Sequence, residues 1–447
     1  KLDAHGNPLP TGDAEKNTVA ISGGTVANAY GAEVRTKDGN ATENSAEITN
    51  GTVGSAYGAS LAAANAAGTA DKSKVNISGS ANITGDVYGG HIAQANATGT
   101  ITNSEVNISG GTVNGSVYGG KNEGTESATG GTLSISGGNV GGTIYGNHTN
   151  AGDATGATIN ITGGTMGDVY GGYTSGTGAT TGNTVNLGDG SHALASGTTI
   201  NGVLYGGNKT TVTDNMLNVK TNATAGNIAH FDKVKFDLNS TINPANSLLT
   251  LNNGAQTTGL NWAKLEVDTS SLTGAGIKTY EPYKLNLIDN AAGIATTGYT
   301  GAKDHSTDKL EYIVDTDSHG ANATQYITLE GYQFKDNDAA SYTAADGTKA
   351  EAWAGRTKVG NEVKNNTLTV TGGMLTQAAY GGLAENFTRD SAGNLNPAGN
   401  ATKNKLVLNA GANTLNAYGA QVRTKGGSAA ENTVLLSRGT VTGSLYG

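Results

Sequence analysis

One phrase, returning every 25–35 residues, constrains the fold of this 447-residue chain more than any other feature. Lys74-Val75-Asn76-Ile77-Ser78-Gly79 leads to Ile83 and then to Asp86-Val87-Tyr88-Gly89-Gly90. Glu105-Val106-Asn107-Ile108-Ser109-Gly110-Gly111 leads to Val113 and then to Ser116-Val117-Tyr118-Gly119-Gly120. The phrase returns around Tyr145, Tyr170 and Tyr205, and more loosely at Tyr30, Tyr57, Tyr380, Tyr418 and Tyr446. The tyrosines of this phrase from Tyr30 to Tyr205 are 27, 31, 30, 27, 25 and 35 residues apart. A period of this size marks a solenoid, in which one copy is one coil and buries its apolar side chains only against its neighbours.

Within each copy the pattern has period two, which is a strand signal. Val75 and Ile77 share one side, Asn76 and Ser78 the other, and the alternation recurs at Val106/Ile108, Leu133/Ile135, Ile159/Ile161, Val185/Leu187 and Leu368/Val370. Gly-Gly then permits a bend that β-branched residues resist. With 70 Gly, 14% charged and 5% aromatic residues, the chain cannot wrap a thick core with helices. Disorder or stacking remain, and the strict period selects stacking: parallel strands about 4.8 Å apart, Val over Val. The expected fold is an all-β parallel β-helix (β-solenoid) with variable loops at the rims of its coils.

The tyrosines admit two placements. Strand parity puts Tyr88 with Asp86 and opposite Val87, giving an outward ladder of Tyr88, Tyr118, Tyr145, Tyr170 and Tyr205 that could serve as a contact surface. Alternatively the strand ends before Tyr and the ring folds back to cap the core, which a repeated Tyr-Gly corner favours.

Three segments follow from the pattern. Residues 1–214 carry the repeats, 215–360 lose the phrase and form an irregular solenoid or β insert, and 361–447 resume it. Asn28 to Lys37 returns almost letter for letter as Asn416 to Lys425, so the chain completes a unit of about 388 residues and enters a second. Lys1 opens inside a polar loop, which reads as an excerpt of a longer protein.

Net charge is −9 and Arg occurs only at 35, 356, 389, 423 and 438, which argues against a nucleic-acid partner. There is no Cys and no apolar run approaching about 18 residues. No paired carboxylates, nucleophile elbow or phosphate loop stand out, so no catalytic residue, metal or cofactor is expected. The seven His residues (5, 91, 148, 192, 230, 305, 319) lack ligand spacing and read as solvated loop residues. Asp315 to Gly320 and Asp336 to Asp338 hold hard oxygens but complete no calcium loop, and turns explain them better. The Asn-x-Ser/Thr triplets at Asn76, Asn107 and Asn160 fall within strands and read as stacked polar residues.

Ser109-Gly110-Gly111-Thr112-Val113 followed by Val117-Tyr118-Gly119-Gly120 resembles the repeats of large bacterial autotransporter passengers, as does Ala225 to Phe231 followed by Val234-Lys235-Phe236. The resemblance implies a right-handed β-helix delivered by type V secretion to the Gram-negative cell surface. It implies adhesion or aggregation without catalysis, with host glycans, host surface proteins or another copy as partner. Membrane attachment would come through a C-terminal barrel that this sequence lacks. The rival expectation is a phage or secreted β-helix acting on polysaccharide.

Overall fold

The computed structural model describes residues 12–210, 213–252, 257–270, 283–290, 293–297, 303–306, 310–319, 324–334 and 340–447. The chain is an all-β parallel β-solenoid with coils of about 28 residues. Among the described residues there is no α-helix, and only two short 3₁₀ turns occur, Trp262–Lys264 and Ala344–Asp346. Contacts divide the chain into two units. The first holds Lys1–Asp268 with Ile288–Thr300 and Ser318–Tyr326, the second Thr269–Leu287, Gly301–Asp317 and Ile327–Gly447.

A representative coil of the first unit runs Thr100–Thr102, Glu105–Ile108, Thr112–Val113 and Val117–Asn122. Each piece pairs in parallel with its counterpart one coil away, Val106 with Val75 and Leu133, Ile108 with Ile77 and Ile135. The column continues without a slip through Ile159, Val185, Leu217 and Val234 beside Ile161, Leu187, Val219 and Phe236. Every member is buried. At roughly 1.5–3 kcal/mol for each fully buried aliphatic side chain, a coil with few large residues gains its share only because coils above and below close the column. Ala41, Ala70, Ile101 and Ala128 fill the third side with Leu61 and Ile92. In the second unit Leu368 and Val370 stack on Leu406 and Leu408.

The corner entering each long strand explains part of the composition. Its residue is left-handed, Lys16, Glu43, Lys72, Asn103, Gly130, Gly156, Gly182 and Asp214 in the first unit and Asn365, Lys403 and Glu431 in the second. The next residue is often a buried Asn whose amide bridges coils, as when Asn44 Oδ1 accepts from Asn17 N at 3.0 Å and Asn404 Oδ1 accepts from Asn366 Nδ2 at 2.7 Å. Backbone polar groups at the corner are thereby satisfied inside the stack.

The outward Asn side chains of the long strands form short amide chains: Asn107 donates to Asn76, Asn186 to Asn160 and Asn218 to Asn186, each at 2.8 Å. The middle segment holds both parallel and antiparallel pairings. Lys233–Asp237 and Leu265–Asp268 continue the parallel stack, whereas Lys303–Ser306 pairs antiparallel with Leu310–His319. Asp336 to Asp338 lie outside the described residues.

Candidate functional site

The strand Val117–Asn122 does not end before its tyrosine. It runs through Tyr118 and turns at Gly119-Gly120, and both glycines face inward. A Cβ on Gly119 would stand 2.8 Å from Leu133 Cδ1, and one on Gly120 would stand 2.8 Å from Ile101 Cγ2. Two successive inward positions shift the parity, so Tyr118 and the residue three places on, Lys121, share the outer surface.

The seven tyrosines of the repeated phrase from Tyr30 to Tyr205 stack face to face. Centroid separations along Tyr30, Tyr57, Tyr88, Tyr118, Tyr145, Tyr170 and Tyr205 are 4.5, 4.8, 5.1, 5.0, 5.5 and 4.2 Å, with planes within 15° of parallel. Tyr88, Tyr118, Tyr145, Tyr170 and Tyr205, the residues named from the sequence, thus stand in one column with Tyr30 and Tyr57. It is also less exposed than a bare outward row, Tyr88 being 6% and Tyr118 8% accessible. The rings neither cap the aliphatic core nor offer their faces to solvent.

A second column covers them. Glu33, Ser60, His91, Lys121, His148 and Tyr173 are register partners in successive coils. His91 lies against Tyr88 at 4.5 Å, and His148 meets Tyr145 edge-on at 5.1 Å and stacks on Tyr173 at 5.0 Å. Lys121 Nζ sits 5.0 Å from the Tyr118 centroid, a cation–π distance. The expectation that the histidines are solvated loop residues is corrected here. His91 and His148 lie in strands because the double inward glycine carries them onto the ladder, whereas His192 is an exposed loop residue bonded to Asp189 at 2.9 Å.

Burial sets the electrostatics of this face. It pushes the hydroxyls of Tyr57, Tyr88, Tyr118, Tyr145 and Tyr170 up, so they remain protonated donors. Tyr88 donates to Asp86 Oδ2 at 2.9 Å. Burial, with help from the Lys121 ammonium, pushes His148 down to about 4. The His91 ring at 3.7 Å and Lys121 at 3.0 Å hold the Glu123 carboxyl at about 2.

The second unit repeats the layout with other chemistry. Trp353, Tyr380, Tyr418 and Tyr446 occupy the ladder position. Arg356 lies over Trp353 at 4.5 Å and donates from Nε to Glu385 Oε2 at 2.9 Å, while Arg423 Nη1 donates to Glu385 Oε1 at 3.0 Å. Arg423 also donates to Glu351 and to the Tyr380 hydroxyl, and Tyr380 donates to Glu351 Oε1 at 3.1 Å. Glu311 accepts from Thr357, from Lys358 N at 2.9 Å and from Asn361 Nδ2 at 3.0 Å. This ionic cluster was not anticipated. Its members are far apart in sequence, and only alignment on the ladder position brings Glu351, Arg356, Glu385 and Arg423 onto one patch. Every carboxylate in it is paired, so the cluster has the form of a structural lock.

Among the described residues no group of three His, Asp or Glu side chains is placed to hold a metal ion, and no helix is long and apolar enough to cross a membrane. Comparison with family models, curated proteins and solved structures finds no match to this chain.

Proposed function

We propose that the chain is a non-enzymatic stem of a cell-surface adhesin or aggregation factor, of the autotransporter-passenger kind and exported to the face of a Gram-negative cell. Its partners would be host glycans, host surface proteins or a second copy, and its chemistry would be binding alone. The observation that carries the reading is the in-register column of Val, Ile and Leu from Val75 to Val234. A stack of this kind sustains a long repetitive stem while leaving coil-rim loops free to vary. The ladder contributes stiffness and a row of tyrosine edges and hydroxyls. Its ring faces are already occupied by one another, so a sugar cannot stack on them in mid-ladder.

The test is binding of the purified chain to a host-glycan and host-protein panel, beside bead aggregation between copies. Binding or aggregation with no change in polysaccharide chain length is the expected result. Depolymerisation of any polysaccharide in the panel overturns the non-enzymatic reading and favours a polysaccharide-processing β-helix. Absence of both binding and aggregation overturns the adhesin reading itself.

A further inference from the structure

The corner after the first long strand of a coil is normally tight. Three residues, 109–111, join Glu105–Ile108 to Thr112–Val113. Two coils whose corners are described in full break that rule in the same place. Eleven residues, 188–198, join Thr184–Leu187 to Thr199–Tyr205, and eleven, 238–248, join Lys233–Asp237 to Leu249–Leu251. The coil between them keeps a three-residue corner, 220–222. Two long loops flanking one short corner leave a cleft, and its volume is about 580 Å³.

Both walls are fixed without a ligand. In the first loop, Asp189 Oδ1 accepts from Ser191 N at 2.7 Å and His192 N at 2.8 Å, and Ala195 N donates to Thr162 O of the preceding coil at 2.8 Å. In the second, the Asn222 side chain accepts from Asn243 N at 2.6 Å and donates to Ser247 O at 3.0 Å, while Asn239 Nδ2 donates to Lys220 O at 2.7 Å. Such walls lose little entropy on binding.

The lining sets the ligand class. Leu194 and Thr198 stand on one side and Asn246 on the other, with Thr224, Thr250 and Asp289 along the floor. Thr224 pairs in register with Thr250, and Thr250 with Asp289, so the floor presents polar groups at coil spacing. Among the described residues no Lys, Arg or aromatic side chain lines the cleft, and Asp289 is the one charged residue of that lining. An anion would meet no cation there, and an apolar ligand would strip water from hydroxyls and amides without replacing the bonds. The volume falls within the range of small-ligand sites, roughly 300–1,000 Å³. We infer that this cleft binds a neutral saccharide of one or two residues, through hydroxyl and amide hydrogen bonds. The inference deepens the adhesin reading and rests on it for its use on a cell.

Saturation-transfer NMR and calorimetry on the whole chain test it directly, with N,N′-diacetylchitobiose, lactose and maltose as probes and sialyllactose as the anionic control. At least one neutral sugar should bind, at least tenfold tighter than sialyllactose. Thr224→Trp, at an exposed floor position, should abolish that binding with the circular dichroism melt unchanged. Asn246→Trp fills the cleft from the other wall should the first variant fail to fold. Absence of binding by all three neutral sugars, binding that survives both variants, or a preference for sialyllactose each overturns the site. Host-cell adhesion measured on the same variants separates the two readings. Adhesion without cleft binding removes this inference alone, and cleft binding without any adhesion removes the adhesin reading alone.

Discussion

The aromatic columns of the two units are built on the same phrase and held by different chemistry. In the first unit seven tyrosines are covered by His91, Lys121, His148 and Tyr173; in the second, Trp353, Tyr380 and Tyr418 are covered by an Arg–Glu network. The nearly repeated strands make the contrast sharp. Arg35 donates to Glu33 of its own strand at 2.9 Å and stays 76% exposed. In the second copy Gln421 stands where Glu33 stood, and Arg423 reaches back to Glu385 and Glu351 on earlier coils. One strand sequence thus enters two energetic regimes, and the composition of the column one coil away decides which. In a solenoid the informative neighbour is a whole coil distant in sequence.

The strongest way to break this comparison is to remove the shared anion of the network. Glu385 is 1% exposed and serves both Arg356 and Arg423. Glu385→Ala takes from Arg356 its carboxylate partner and leaves Arg423 with Glu351, and should destabilise the second unit by about 3–5 kcal/mol in chemical denaturation. Arg35→Ala removes only a solvent-screened pair and should leave the denaturation midpoint almost unchanged. Similar losses for the two variants would show that burial does not separate the two copies.

Next comes the ring stack. Tyr118 touches a ring above and a ring below and is almost buried. Tyr118→Ala should lower stability by about 3 kcal/mol, combining lost aromatic contacts with a cavity the coils cannot close. Tyr118→Phe retains the stack and should lie within about 0.5 kcal/mol of the parent. Thermal melts of the pair separate ring stacking from hydroxyl bonding, and a large loss in Phe would place the energy in the hydroxyl instead.

Acid should separate the columns by their histidines. His148 is held to about 4 by burial and by Lys121, below the ordinary value near 6.5. Between those values the unfolded chain binds a proton that the folded chain refuses, so stability rises with pH across that window and falls on acidification. About 2 kcal/mol should be lost between pH 7 and pH 5, and His148→Gln should remove most of that slope. The Glu123 carboxyl, held near 2 by His91 and Lys121, adds stability that is lost only below its ordinary range, from about pH 4.5 downward. A slope unchanged by His148→Gln would show that the ladder is not the proton-sensitive element.

Much of the fold was readable before any coordinates. Val106 and Ile108 alternate as a strand must, and their recurrence can be satisfied only by stacking copies. The Tyr-Gly-Gly phrase was harder because parity assumes strict alternation. Gly119 and Gly120 both face inward, which moves Lys121 and its counterparts His91 and His148 onto the tyrosine face. Adding three to each ladder tyrosine would have found that column. The cluster around Glu385 was hidden for another reason. Variable loops separate Trp353, Tyr380 and Tyr418 by 27 and 38 residues, so its members share no sequence window and meet only after the coils are aligned.

The smallest effect sharpens the comparison between coils rather than between units. Lys72, with φ of 48°, occupies the left-handed corner that Gly130, Gly156 and Gly182 occupy further along. A side chain in that conformation crowds its own carbonyl, at about 1–2 kcal/mol, partly offset by the greater freedom glycine loses on folding. Lys72→Gly should therefore raise stability by about 0.5–1 kcal/mol. Gly182→Ala should lower it by a similar amount, because the nearest atom to its added Cβ is Gly156 N at 3.9 Å and no clash intrudes. Opposite shifts in the denaturation midpoint would establish that the corner conformation carries the difference. Shifts of the same sign would instead trace it to side-chain contacts, among them the 3.9 Å approach of Lys72 to Asp71.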